Sequence, residues 1–324
     1  MQKQERYNDF SSFIRRTFNQ RVQKVSIDAG FTCPNKDGSK GTGGCTYCNN
    51  NTFNPDYCKP IKPIKQQINE GIDFFSKKYK TQKYLAYFQA FTNTYSPLAD
   101  LRKMYEEAWA HEDVIGLVIA TRPDCIKDEV LDYLEELAKA GNFIKLEFGL
   151  ESTKNETLEE INRCQTHEEA IDAFKRADGR GLHLGGHLIL GLPGESKEDM
   201  LEHARKVSEL PINTLKIHHL QIVKHTMMAH QFKNTPDMFT FMELDEYIDL
   251  VVDFIELLNP EIIIERFFSE SPARMLIHPK YGLKNFEVKH LVEKRLEEKN
   301  AMQGRLFLLN NSEKRDWGLF PISN

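Results

Sequence analysis

The sequence predicts an α/β fold: six strand–loop–helix units forming a partial or complete (β/α) barrel, followed by a C-terminal α+β extension. Three observations predict it. Candidate strands recur about every 30 to 40 residues along the first two-thirds of the 324-residue chain. Amphipathic helical stretches lie between them, the alternation that gives right-handed βαβ units and a parallel sheet. Polar groups follow each strand, where a barrel gathers its active site. The length suits one barrel plus an extension, and no G-x-G-x-x-G follows the first strand to support a dinucleotide fold.

Residues 1–21, MQKQERYNDFSSFIRRTFNQR, read as an N-terminal arm or short helix whose Tyr7, Phe10, Phe13 and Phe18 cap a core. Arg15, Arg16, Arg21 and Lys24 form a small basic group there, read first as a solvated face. The barrel is expected over 22–230. Val22–Asp28 alternates apolar and polar residues as a strand does and runs into a cysteine-bearing loop. Residues 62–79 carry Ile64, Ile68, Ile72 and Phe75 on one helical stripe. Further strands are expected at Lys83–Gln89, Val114–Ala120, Phe143–Gly149, Leu182–Leu188 and Thr214–Leu220, with helices at Asp128–Lys139, Thr166–Arg176 and Lys197–Leu210. The extension, 231–324, holds a long helix at Phe239–Leu258, a strand at Glu261–Arg266 and an amphipathic helix over 286–299. That helix bears Lys289, Lys294, Arg295 and Lys299, and Arg305, Lys314 and Arg315 follow. Glu287, Glu293, Glu297 and Glu298 offset them. A solvated helix and a contact to phosphates both fit this pattern.

The loop over 31–48, FTCPNKDGSKGTGGCTYC, carries Cys33, Cys45 and Cys48 in a C-x11-C-x2-C array. The two-residue gap lets a tight turn aim two sulfurs at one metal centre, and the glycines let the backbone curl around it. Three thiolates on an iron–sulfur cube leave one iron open for chemistry, whereas Cys58 would complete a four-cysteine zinc site. Both readings stand on these residues alone. The polar groups after the later strands are Gln89-Ala-Phe-Thr-Asn-Thr-Tyr95, Thr121-Arg122-Pro123-Asp124, Glu147-Phe-Gly-Leu-Glu151-Ser152, His187 to Gly191-Leu-Pro-Gly194-Glu195, and Lys216-Ile-His218-His219. Ser152, Thr121 or Glu195 could each be a helix cap. Capping does not explain such groups after successive strands.

Composition sets outer limits. With 40% hydrophobic and 28% charged residues the chain reads as globular, and a net charge of −5 argues against a wholly basic nucleic-acid binder. Six cysteines in this length do not suggest a disulfide framework. No leading apolar segment and no run of about 18 apolar residues is read, so a reducing cytoplasm without membrane association is expected.

The motifs together resemble the radical S-adenosylmethionine (SAM) superfamily, in the YhcC-like group of the Elongator radical-subunit branch. They are the cysteine array with Tyr47 before Cys48, QAFTNTY, ATRPD, LEFGLES, LILGLPGE and the QGR of Gln303–Arg305. Two departures stand out: the first gap is eleven residues where three is commonest, and the usual Gly-Gly-Glu after the second strand is Gln89-Ala90-Phe91. The resemblance implies a partial (β/α)6 TIM-type barrel and a 4Fe-4S cluster held by Cys33, Cys45 and Cys48. It also implies reductive cleavage of SAM to a 5′-deoxyadenosyl radical that takes hydrogen from a substrate. It puts Gln89 or Thr92 near the methionine end of SAM, Thr121 and Arg122 beneath it, Glu151 and Ser152 near ribose or carboxylate, and Gly191 against adenine. Cys58, Cys125 and Cys164 are expected to be bystanders, Cys58 being the one with a possible substrate or second-metal role. An electron donor such as flavodoxin or ferredoxin is implied.

For the substrate, the resemblance points to tRNA and the C5 substituent of a wobble uridine, with Arg15, Arg16, Arg21, Lys289, Lys294 and Arg295 as phosphate contacts. No counterpart of Elongator's acetyltransferase domain is read, so remodelling of an existing side chain is expected over carboxymethylation. A small-molecule or protein substrate, and a zinc-bound nucleic-acid adaptor without catalysis, are the alternatives.

Overall fold

The computed structural model describes residues 5–307, apart from residues 53, 78, 80, 81 and 110; Lys314 and Arg315 therefore lie outside the described residues. The chain opens with α1 (Phe10–Phe18), capped by the Asp9 carboxylate, which accepts the Ser12 N–H at 3.1 Å. It ends at Asn19 in the left-handed conformation. Next come β1 (Val22–Ile27), α2 (Ile64–Ser76), β2 (Lys83–Phe88), α3 (Leu98–Ala108) and β3 (Val114–Thr121). α2 lies so close to β1 that a Cβ on Gly71 would stand 2.4 Å from Val25 Cγ1. Then follow α4 (Asp128–Lys139), β4 (Phe143–Glu151), the short α5 (Asn155–Glu160), α6 (His167–Ala177), β5 (His183–Leu190) and α7 (Lys197–Ser208). α6 and α7 both start on capping boxes, Thr166 with Glu169 and Ser196 with Asp199.

β6 (Thr214–His219), β7 (Ile222–Val223), α8 (Met227–Asn234), α9 (Leu244–Leu257), β8 (Ile263–Arg266), β9 (Leu276–His278) and α10 (Asn285–Glu298) complete the order. Seven strands form one parallel sheet in the order β1-β2-β3-β4-β5-β6-β8, so the strand expected in the extension is the sheet's last member. β7 and β9 pair antiparallel beside it.

The sheet curls into a half-barrel. Its two edge strands approach across the lumen, where Lys24 of β1 stands 2.5 Å from Glu265 of β8. Alternation along the strands sorts residues to two sides. On β4, Ile144, Leu146, Phe148 and Leu150 join the core beneath the helices. Lys145, Glu147 and Gly149 take the other side, toward the lumen. A small apolar layer of Leu85, Tyr87, Val118 and Ala120 fills part of the lumen. Phe10 of α1 lies beneath the Lys24 and Lys145 ammonium groups, 5.1 and 4.9 Å from its ring centroid.

The Gln303–Arg305 segment works as a clasp. The Gln303 side chain donates to the Asn259 and Ile262 carbonyls, both at 2.8 Å, and accepts the Asn8 N–H at 2.8 Å. Asn8 in turn accepts from Ile264 N at 2.8 Å, so the arm is fastened along β8. Among the described residues no helix is long and apolar enough to cross a membrane.

Candidate active site

A cavity of about 280 Å3 opens at the carboxyl ends of the strands, lined by Cys33, Cys45 and Cys48 on one side and by the ends of β2 to β6 and β8 on the other. The cysteine loop is folded on its own backbone. Lys36 N and Asp37 N donate to Cys33 O at 2.8 and 3.1 Å, and Cys48 N donates to Cys45 O at 3.0 Å. Gly44 sits at φ +81, and a Cβ there would lie 2.7 Å from Lys36 Cε, so side chain and backbone close tightly over the sulfurs. Asn35 Nδ2 and Arg163 Nη1 each stand 3.7 Å from Cys45 Sγ.

Burial pushes the Cys48 thiol up to about 12, Cys45 and Cys33 push the same way, and Lys36 and Arg163 oppose them. Three thiolates crowded in this corner call for cationic compensation, and the irons of a cluster supply it. A zinc ion needs its ligands about 2.3 Å from one point, whereas a cube spreads its thiolates over separate irons. Among the described residues no three Cys, His, Asp or Glu side chains converge on a single-ion position. Cys58 is buried beside Asp28 and is not part of the cavity lining, so the four-cysteine zinc arrangement lacks its last ligand here. The corner fits a cluster.

Five of the seven residues expected to touch SAM, Gln89, Thr92, Thr121, Arg122 and Glu151, line the cavity with the cysteines. Gln89 accepts a hydrogen bond from Ser26 Oγ at 3.2 Å. Thr92 Oγ1 is buried with no partner, an acceptor and donor left for a ligand. Phe91, beside it, sits at φ 63, a strained value for a bulky residue. Thr121 Oγ1 pairs with Thr94 Oγ1 at 2.6 Å. The Arg122 guanidinium grips Asp124 through Nε and Nη2 at 2.9 and 3.0 Å and donates to the carbonyls of Arg163 and Cys164 at 2.9 and 3.1 Å. Four of its five N–H groups thus fix the corner that carries Arg163. Glu151, at φ 66 on a bulge, turns toward Arg163, whose Nη2 lies 3.6 Å from its Oε1. A Cβ on Gly149 would stand 2.5 Å from that Oε1, so only glycine leaves the carboxylate its place.

Ser152 and Gly191 are not in the lining. Ser152 Oγ donates to Glu195 Oε1 at 2.5 Å, and His203 bridges the same oxygen and Thr153 Oγ1 at 3.0 and 2.7 Å, a buried network that holds the Glu151 turn from behind. Gly191, at φ +89, faces Met242 and Leu220 and donates its N–H to Met200 Sδ at 3.1 Å.

The lumen below holds what sequence reasoning did not assign. Glu147 receives Lys216 at 2.6 Å, Lys145 at 2.9 Å, Lys24 at 3.2 Å and His187 at 3.1 Å. Glu265 receives Lys24 and Lys145 at 2.5 Å and Lys216 at 3.4 Å. Gly185 leaves room for them, since a Cβ there would lie 3.1 Å from Lys145 Cε. Burial tends to raise both carboxylates, yet the surrounding ammonium groups win and hold them well below the usual range. Lys145, close to both carboxylates, is raised. Lys216 is drawn down to about 7, by burial first and by the charges of Lys24 and Lys145, against the pull of the two glutamates. His187 and His218 are lowered chiefly by burial, and His219 falls to about 3 for the same reason. Glu147, His187, Lys216 and His218 figure in the sequence only as polar strand-end residues, and Lys24 only in a basic group. The signal that could have found the network is charge at alternate positions of β4, in a barrel whose lumen is otherwise expected to be apolar.

The basic residues expected to meet phosphates are largely engaged. Lys289 pairs with Asp9 at 2.6 Å, Lys294 with Glu298 at 3.4 Å and Arg295 with Asp245 at 3.1 Å. Arg16 reaches Glu5 at 4.0 Å, Arg15 donates to Ser12 Oγ at 3.0 Å, and Arg21 stacks 3.5 Å over Tyr79.

Comparison with known proteins completes the picture. Residues 38–207 match the family described as the Radical SAM superfamily, and residues 212–298 the Radical_SAM C-terminal domain. The chain is 35% identical to the uncharacterised protein YtqA of Bacillus subtilis, over 94% of each chain. It is also 35% identical to YhcC of Escherichia coli, over 86% of this chain and 88% of that one. A more distant relative, at 24% identity over 62% of this chain and 36% of its own, is the tRNA uridine(34) acetyltransferase of Methanocaldococcus jannaschii. Among solved structures, Elp3 of Methanocaldococcus infernus superposes with a TM-score of 0.65 at 18% identity, a likeness of fold. The match covers 88% of this chain and 64% of that one.

Proposed function

The chain belongs to the radical SAM superfamily, in its YhcC-like group, and from that premise we propose that it remodels the C5 side chain of a wobble uridine in tRNA. As a member it uses a 4Fe-4S cluster and SAM, which supply a hydrogen-abstracting radical when bound. Cys33, Cys45 and Cys48 would hold the cluster, with Asn35 and Arg163 offering N–H groups to the Cys45 sulfur. Gln89, Thr92, Thr121 and Glu151 would receive SAM, Arg122 would fix the corner around them, and Ser152 and Gly191 would act from behind the cavity wall. The lumen side of the cavity is left for the substrate.

The observation that carries the tRNA reading is the joint similarity to a tRNA uridine(34) acetyltransferase in sequence and to an archaeal Elp3 in fold. Physical reasoning supports it, because a base can reach a recessed cavity only out of a stack, and single-stranded loops already present such bases. A radical SAM enzyme with a small-molecule or protein substrate is the second reading. The ion pairs of Lys289, Lys294 and Arg295 and the net charge of −5 favour it. The zinc-adaptor alternative falls with the family match. Chromatography and mass spectrometry of nucleosides in total tRNA from parent and deletion strains separate the two. The tRNA reading expects one wobble-uridine nucleoside to disappear and a precursor with a different C5 substituent to accumulate. Identical profiles favour the second reading.

A further inference from the structure

We propose that Lys216, acting through Tyr87, is the proton acceptor for the substrate, and that the substrate carries an ionisable N–H or O–H at the carbon that loses its hydrogen. The inference rests on this cavity being the reaction site and not on the substrate being tRNA.

Three ammonium groups, Lys24, Lys145 and Lys216, share two carboxylates, Glu147 and Glu265, so the network carries one positive charge in excess. An excess charge in a buried site is unfavourable and is relieved by losing a proton. Lys145 meets the two glutamates at 2.9 and 2.5 Å and Lys24 at 3.2 and 2.5 Å, whereas Lys216 meets Glu147 at 2.6 Å and Glu265 only at 3.4 Å, and of the three it is Lys216 that lines the cavity. Lys216 is therefore the member that gives up its proton near neutrality, as its lowered pKa of about 7 agrees.

The other charged or titratable neighbours do not compete for that role. From β5, His187 is bonded to Glu147 and depressed by burial, and His183 falls to about 3. His218 of β6 is depressed by burial first and then by the neighbouring Arg266 of β8.

Lys216 is 2% exposed yet lines the cavity, as does Tyr87, and its Nζ is 3.0 Å from Tyr87 Oη. Burial together with Glu147 and Glu265 keeps the phenol protonated. A carbon radical beside an N–H or O–H makes that heteroatom proton more acidic, and a base at this spot can take it. The substrate proton passes to Tyr87 Oη while the Tyr87 proton passes to the neutral Lys216 amine. The substrate heteroatom keeps the bonding pair, Lys216 becomes an ammonium, Tyr87 returns to its phenol, and no electron moves.

The test uses the anaerobic holoenzyme, SAM, a one-electron reductant and total tRNA from a deletion strain. The expected kcat rises with pH through an apparent pKa near 7. Tyr87→Phe, which removes one hydroxyl and keeps the packing, should lower kcat about 100-fold or more with little change in KM. Lys216→Ala should be rescued by added methylamine. A Tyr87→Phe enzyme with the parent kcat and pH profile would overturn the proposal. If the parent enzyme does not turn over tRNA, the tRNA reading fails and carbon NMR of lysine-labelled holoenzyme decides instead. A lysine signal with a midpoint near 7, absent from Lys216→Met, then supports the proposal, and a Lys216 midpoint above about 9 overturns it.

Discussion

Replacing Glu147 by Gln keeps its shape and removes one of the two negative charges in the lumen. Glu147 is 1% exposed and meets Lys216, Lys145 and Lys24 at 2.6, 2.9 and 3.2 Å. The variant leaves three ammonium groups against Glu265 alone. Breaking a buried pair by removing one partner costs about 3–5 kcal/mol. Lys216 can shed its proton near pH 7 and relieve part of the strain, which puts the loss near the lower bound, about 3 kcal/mol. For a chain of this size roughly 2 °C of melting temperature accompanies each kcal/mol, so thermal unfolding at pH 7 should shift down by about 6 °C. The sign of the pH dependence follows from the depressed carboxyl. Its contribution is present above the unfolded value, about 4.3, and is lost as pH falls toward the folded value, so the gap between variant and parent narrows in acid. Adding Lys216→Met to Glu147→Gln returns the lumen to one excess positive charge and should recover part of the loss. A double variant less stable than Glu147→Gln alone contradicts this charge balance.

Three further outcomes are expected. Cys33→Ala, Cys45→Ala and Cys48→Ala should each lose most of the iron and brown colour after anaerobic purification, whereas Cys58→Ala, altered outside the cavity, should keep both; metal analysis and absorbance decide. Glu151→Ala and Arg122→Ala should retain the cluster and bind SAM about tenfold or more weakly, read by equilibrium dialysis. Glu151 would lose a charged contact and Arg122 the hold on the 163–164 corner. Lys216 binds its proton more weakly in the folded chain, about 7, than unfolded, about 10.4, so it makes stability rise as pH climbs between those values. Lys216→Met should flatten that part of a denaturant-midpoint profile.

The strands were legible because parallel strands covered by helices alternate with amphipathic segments, and all seven expected strands, six in the barrel and one in the extension, fall within a few residues of those observed. The cysteine corner was legible because Cys33, Cys45 and Cys48 are close in sequence and share one loop. What the sequence hid depends on curvature. Lys145-Leu-Glu147 on β4 alternates as any half-buried strand does, and nothing in the alternation says that the polar side faces a closed lumen. Glu265 lies about 120 residues from Lys145, and only the curl of the sheet brings them to 2.5 Å. Arg163 was equally hidden, since it reaches Cys45 from the loop after α5. The ion pairs of the α10 basic residues were also hidden. Asp245 and Asp249 on α9 pair with Arg295 and Lys299, and Asp9 before α1 pairs with Lys289, whereas a linear reading could count only glutamates of the same helix, such as the Glu298 that meets Lys294.

The most direct measurement is formation of 5′-deoxyadenosine by the reconstituted, reduced protein given SAM and tRNA. Slow cleavage without substrate is expected, and tRNA from a deletion strain should raise the rate severalfold while tRNA from the parent strain, already modified, should not. Equal rates with deletion-strain tRNA, parent tRNA and no tRNA would contradict the assignment of tRNA as the substrate.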